Sequence, residues 1–202
     1  MKWKLLQLQQ LFRKEIQMPL NYTEICELIE QGVVENADFK NVNSSSLDIT
    51  LGREVFVETA YMHWPVTGAE IWMNPISLRD RTPLNTERKP TPYTLCPGEF
   101  ILASSREVFH LPNNISAEYK LKSSMARISL EHLNAGWCDA GWHGSVLTLE
   151  LKNMTRYHKI LIQEGDLIGQ VVFFKHTPVP ADKSYAARGR YNGDLTATGI
   201  KK

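Results

Sequence analysis

From residue 100 onward the sequence is cut into short apolar runs of period two, and this segmentation constrains the fold more than any other feature. The runs are FILASS (100–105), EVFHL (107–111), AEYKL (117–121), SVLTLEL (145–151), KILI (159–162) and IGQVVFFK (168–175). Turn signals such as Leu111-Pro112-Asn113-Asn114 and Glu164-Gly165-Asp166 separate them. Successive strand side chains point to opposite faces, so each run can bury one face against a shared core. Many short strands at this spacing predict a mainly β fold, an antiparallel sandwich, jelly roll or barrel, and not βαβ units. LDITLG (47–52) and VFVE (55–58) carry the same period further upstream, as two short strands with a glycine near the break.

The flanking segments read differently. Leu5, Leu8, Phe12 and Ile16 recur at spacings of three and four, which predicts an amphipathic helical extension over residues 1–18, ended by Pro19 and packed on its own chain or on a neighbouring subunit. A second helix is predicted with Thr23 as N-cap and Ile25, Leu28 and Ile29 as its apolar face, up to Gly32. Residues 61–97 hold Pro65, Pro75, Pro83, Pro90, Pro92 and Pro97 and read as a long insert without regular structure. Residues 19–202 are thus expected to form one domain, with that insert and a mobile polar arm over 181–202.

Composition excludes several function classes. With 23 Lys+Arg against 22 Asp+Glu, the net charge of +1 excludes a broadly basic nucleic-acid coat and leaves room for a local phosphate site. Cys26, Cys96 and Cys138 are widely spaced with no C-x-x-C pair, which argues against a disulfide framework or a cysteine-rich zinc site and for a reducing, cytoplasmic setting. No apolar run approaches the roughly 18 residues of a membrane span, and the N-terminus lacks an apolar leader core. Neither a membrane nor a nucleic acid is expected as partner.

The usual catalytic signatures are missing: no G-x-x-x-x-G-K-[ST], no G-x-G-x-x-G after a strand, no H-E-x-x-H, and no H-x-E with P-C-x-x-C. The densest polar stretch is KSSMARISLEHLNAGWCDAGWHGSVLTLELKN, residues 122–153. In a short helix, Lys122, Ser123, Ser124 and Arg127 would offer free amides, hydroxyls and cations to an anion, with Arg127 one turn from Ser123 on the same face. The same residues also suit an ordinary surface helix. The turn Asp139-Ala140-Gly141-Trp142-His143-Gly144 can hold a sugar hydroxyl and a ring, or form a packed corner. In VLTLEL, Val146, Thr148 and Glu150 share one face and Leu147, Leu149 and Leu151 the other. A strand carboxylate there usually faces solvent; Glu150 becomes a candidate proton shuttle if the Val146 face is also buried.

SSLDITLG, CPGEFILASSREVFHLP, the S-S-x-A-R segment, the D-x-G-aromatic-x-G turn, LTLEL, IGQVVFF and the terminal RYNGD occur in an order that resembles the dCTP deaminases of the trimeric dUTPase superfamily, over about residues 20–200. The resemblance implies a distorted jelly roll or β-barrel of the dUTPase-like type, a homotrimer with active sites between subunits, and zinc-independent deamination of dCTP to dUTP and ammonia. It implies Mg2+ accompanying the triphosphate. By similarity, Glu150 is the general acid/base, and Ser123 and Arg127 hold the water and support the charged intermediate. Lys122 and Ser124 stand at phosphate-binding positions, Lys122 where many members have Arg. Asp139 matches the acceptor of the deoxyribose 3′-hydroxyl, with Trp142 in the same turn. Asn134 and Ala135 match the segment reading the pyrimidine edge, and Arg190 and Tyr191 match the Lys-Tyr of the closing C-terminal arm.

The chain also departs from the family. The stretch from Arg127 to His132 is one residue short and the stretch from Gly144 to Glu150 one residue long, which leaves room for a bulge that re-aims the strand. Asp194 stands where a phosphate-binding Gln is common, and an acid there is unfavourable beside phosphates. A dUTP pyrophosphatase or a bifunctional deaminase/dUTPase is the alternative activity, and a non-catalytic nucleotide-binding regulatory trimer a second. A modified cytosine nucleotide is also an open substrate.

Overall fold

A computed structural model describes residues 19–63, 70–72, 76–77 and 79–201, so the helix expected over 1–18 lies outside the described residues. The chain is mainly β. Its strands are β1 (Val34–Glu35), β2 (Leu47–Glu58), β3 (Tyr61–His63), β4 (Glu70–Trp72), β5 (Thr86–Pro90), β6 (Tyr93–Leu95), β7 (Phe100–His110), β8 (Ile115–Leu121), β9 (Leu130–His132), β10 (Trp137–Cys138), β11 (His143–Asn153), β12 (Ile160–Ile162) and β13 (Leu167–Lys175). Among the described residues the α-helices are α1 (Tyr22–Glu30), α2 (Ser123–Arg127) and α3 (Tyr185–Arg188).

The main sheet runs β10-β8-β13-β2-β7-β11-β9, with β1 added to β7 and β5 to β2. Every pairing is antiparallel. β2 serves both halves of the sheet: Leu47–Thr50 pair with β13, whereas Leu51 and Val55–Val57 pair with β7. One long strand shared in this way curls the sheet over a core in which Leu47, Ile49, Leu51, Ile101, Leu149 and Phe173 are fully buried. The two short strands expected at 47–52 and 55–58 are therefore one, and the expected break is a register shift between Leu51 and Val55. FILASS and EVFHL likewise merge into β7.

Helix α1 starts two residues earlier than expected. Asn21, not Thr23, is the N-cap: its side chain accepts from the Thr23 and Glu24 amides, and Glu24 returns a bond to the Asn21 amide. That reciprocal box satisfies two orphan donors, which a threonine cap two residues later would forgo. The insert over 61–97 is also more ordered than its prolines suggest. β5 extends the main sheet beside β2, and β6 pairs with β12. Pro90 ends β5 at a sheet edge, where a missing amide donor costs no ladder bond.

The departures in length around Glu150 resolve locally. One register shift between β11 and β7 adds a residue to β11 between His143 and Ser145, at Gly144. A second puts the extra residues on β7, between Ser104 and Val108, where the Ser105 hydroxyl accepts the Leu147 amide instead. From Thr148 to Lys152 the register is continuous, and Glu150 lies opposite Leu102. The bulges sit before the carboxylate, on a strand that is regular where it carries it.

Candidate active site

The alternation along β11 sets the site. Leu147, Leu149 and Leu151 enter the core, while Val146, Thr148 and Glu150 face a cavity of about 500 Å³, within the ordinary range for small-molecule sites. The Val146 face is covered by the chain's own C-terminal segment: Val146 donates its amide to the Asp194 carbonyl, and the Thr198 amide donates to the Thr148 hydroxyl. Val146 is consequently buried, and the Glu150 side chain retains 26% exposure. The residues expected as an arm are therefore docked along β11 as a wall of the cavity. The insert contributes Ile76, Thr82 and Leu84 to another wall.

Of the other residues predicted from sequence, Ala135, Asp139, Trp142 and Tyr191 join Glu150 around this cavity. The Asp139 carboxylate accepts the Trp137 indole N–H at 3.0 Å. Trp142 is buried, stacks on Phe109 and donates its indole N–H to the Tyr191 carbonyl at 2.8 Å, which ties the aspartate turn to the C-terminal segment. Gly141 makes that turn possible: its φ is +87°, and a Cβ there would lie 1.9 Å from the Ser184 hydroxyl. Asn134 is exposed in a left-handed conformation beside the cavity-lining Ala135.

The remaining predicted residues are elsewhere. Ser123, Ser124 and Arg127 lie exposed on α2, and none of them lines the Glu150 cavity. Arg127 donates to the Ser123 hydroxyl at 3.3 Å and borders a separate basin with Arg156, His158 and Lys159. The Met125 and Ala126 amides both return to the Lys122 carbonyl, leaving the Ser123 and Ser124 amides at the open end of the turn. Lys122 itself is engaged: its ammonium pairs with the buried Asp48 carboxylate, which also accepts from Asn43. Arg190 uses its carbonyl to accept from Lys201. Described residues lining the Glu150 cavity include the acids Asp139, Glu150 and Asp194 and no lysine or arginine. A polyphosphate bound there needs cations that the described residues of this wall do not carry.

Several residues escaped sequence reasoning. His132, the last residue of β9, is buried, and its Nε2 stands 3.1 Å from Glu150 Oε2 without completing an aligned hydrogen bond. The Tyr119 ring packs edge-on against His132 at 4.7 Å, and its titration is pushed well above the ordinary range, first by burial and then by the Glu150 charge. Burial, with a smaller effect of Asp139, pushes the Cys138 thiol up to about 12. The signal for His132 was available: Leu130 and His132 share an inward-facing phase, so the histidine could not point to solvent.

Comparison with known proteins agrees with this architecture. The dCTP deaminase-like family model matches residues 20–176. The chain is 34% identical to a "dCTP deaminase, dUMP-forming" of Methanosphaerula palustris over 180 residues, covering 87% of this chain and 90% of the relative. It is 34% identical to a protein of the same description from Streptomyces coelicolor over 189 residues, covering 90% and 93%. A crystal structure of the 2′-deoxycytidine 5′-triphosphate deaminase from Agrobacterium tumefaciens superposes with a TM-score of 0.60 at 23% identity. That likeness covers 79% of this chain and 49% of the other, so the chain spans about half of it, and it bears on the fold alone. With the family model spanning most of the chain and the sequence relatives in agreement, this chain belongs to the dCTP deaminase-like family.

Proposed function

We propose that this protein deaminates dCTP hydrolytically, with Glu150 as the proton-transfer group. The observation that carries the reading is a half-buried carboxylate on a regular strand, at the wall of a nucleotide-sized cavity, in a chain of this family. Water adds to C4 of the cytosine ring while Glu150 takes its proton and hands it to N3. The hydroxyl proton of the tetrahedral carbon then passes through the same carboxylate to the exocyclic amine. The C4–N bond breaks, ammonia leaves and the C4 carbonyl of uracil remains.

Among the described residues of the cavity wall there is no lysine or arginine, and that supports a site completed by a second copy of the chain. In the proposed homotrimer the α2 segment of a neighbouring copy brings Ser123 and Arg127 to the water and the charged intermediate, and Ser124 with its open amides to the phosphates. Lys122, already paired with Asp48, acts there by holding the start of α2 as well as by charge. Asp139 accepts the sugar 3′-hydroxyl, Ala135 and Asn134 read the pyrimidine edge through the backbone, and Tyr191 with Arg190 covers the phosphates. Among the described residues no three His, Cys, Asp or Glu side chains gather into a metal cage. Magnesium is proposed as a companion of the triphosphate, where it would shield phosphate charge.

The product expected from the sequence was dUTP. The names of the relatives support the bifunctional alternative, in which a second water cleaves the α–β phosphoanhydride and the products are dUMP and pyrophosphate. Ammonia and pyrophosphate released from dCTP decide this: equal amounts are expected, and ammonia alone would restore dUTP as product. Glu150→Gln should abolish ammonia release and retain nucleotide binding. Binding without turnover by the wild type would instead support a regulatory trimer.

A further inference from the structure

We infer that His132 is a positioning residue for Glu150: it holds the buried carboxylate oxygen, so that protons are exchanged through the other oxygen alone. This rests on the reading of Glu150 as the proton-transfer group.

Glu150, His132 and Tyr119 are neighbours, and each has a buried polar atom with no aligned hydrogen-bond partner: Glu150 Oε2, His132 Nε2 and the Tyr119 hydroxyl. All three are fully buried, and a buried acceptor without a donor is costly. His132 Nε2 and Glu150 Oε2 lie at contact distance, 3.1 Å. An imidazole carrying its hydrogen on Nε2 satisfies both atoms with a small ring rotation. Glu150 Oε1 is then the carboxylate oxygen left accessible on the cavity side, the one that can take a proton from water and return it.

The surroundings restrict the ring to this role. β9 pairs with β11 so that His132 lies beside Leu151, and the Leu133 amide donates to the Glu150 carbonyl, fixing the two residues' backbones together. Tyr119 packs edge-on against the imidazole at 4.7 Å. The tyrosine is in turn seated by Gly169, where a Cβ would fall 2.1 Å from its ring. Backbone, tyrosine and glycine together leave the ring little travel other than toward Oε2. A carboxylate that must serve C4, N3 and the amine in sequence gains from having one oxygen immobilised, because the other then stays in a single plane.

The test compares His132→Leu, which keeps bulk and removes the donor, with His132→Gln, which restores an N–H at similar reach. Expected is a fall in kcat of about 10- to 100-fold for His132→Leu, the range for one hydrogen bond to a charged group. KM for dCTP should stay within about twofold, and His132→Gln should recover a large part of kcat. A kcat within twofold of wild type in His132→Leu overturns the inference. So does an equal loss in both variants, or a KM that rises in parallel, since packing alone would produce it. If neither variant folds, nitrogen NMR of the assigned His132 imidazole in the wild type and in Glu150→Gln decides: the Nε2 resonance must report a protonated nitrogen that shifts with the substitution, and an unchanged resonance overturns the inference. Absence of ammonia release by the wild type would instead refute the proposed reaction, and the same spectra would still judge the contact.

Discussion

Lys201 reaches back to Asp194 with its ammonium 2.6 and 2.7 Å from the two carboxylate oxygens, and donates a third bond to the Arg190 carbonyl at 3.0 Å. The same ammonium lies 5.4 Å from the centre of the Tyr191 ring. Asp194, an acid on the cavity wall, is therefore answered by a cation seven residues further along the same segment. This clasp closes residues 190–201 against β11 and holds the cavity wall in place. Lys201→Ala should raise KM for dCTP several-fold, because it loosens the wall and exposes an uncompensated charge to the phosphates. Adding Asp194→Asn should recover part of the loss. A double-mutant cycle on KM should give a coupling of about 0.5–1 kcal/mol, the scale of a partly exposed ion pair.

The Lys122–Asp48 pair is more deeply placed, with 26% and 9% of the two side chains exposed. Lys122→Met leaves the Asp48 carboxylate buried with only Asn43 to donate to it. A loss of about 2–4 kcal/mol in unfolding free energy is expected. Adding Asp48→Asn should return most of it, and denaturant titration of the two variants checks the order.

Glu107 gives the fold a pH dependence. Its carboxylate is buried, accepts the Thr50 hydroxyl at 2.6 Å and the Thr50 amide, and titrates above its ordinary value because burial outweighs those bonds. The folded state thus binds the proton more tightly than the unfolded state. The resulting stabilisation is full below the ordinary carboxyl value of about 4.5 and is lost as pH rises through the folded-state value. Melting temperatures of the wild type and Glu107→Gln should therefore draw apart in the variant's favour as pH rises from about 4.5, and level off once the group is ionised. A difference independent of pH would contradict this.

Thiol reactivity should follow burial. Cys96 is exposed, Cys26 half-buried and Cys138 buried with its thiol raised to about 12. Since the thiolate is the nucleophile, native protein treated with iodoacetamide at neutral pH should be modified first at Cys96. Cys138 should react only after denaturation, which peptide mass spectrometry would reveal.

Much of the architecture was legible because strand alternation is a local property. The phase of VLTLEL sends three leucines inward and presents Glu150 on the opposite face whatever the rest of the chain does. The family motifs, likewise contiguous, marked Asp139 and Trp142 together with their turn. Two short runs could not be recognised as the single strand β2, because its continuity depends on β13 and β7 supplying partners to successive parts. The insert's strands β5 and β6 escaped for the same reason: their partners, β2 and β12, are far away in sequence.

The sequence by itself determined the β class and the alternation of β11 that puts Glu150 on the face opposite its three leucines. Tertiary structure alone decided that the Val146 face is closed by residues 190–201, that Lys201 answers Asp194, and that His132 lies against Glu150. It also decided that Ser123 and Arg127 stay outside the cavity of their own chain. The reason is physical. Alternation follows from backbone geometry one residue at a time, whereas burial, charge compensation and the approach of two side chains depend on distant segments meeting in space.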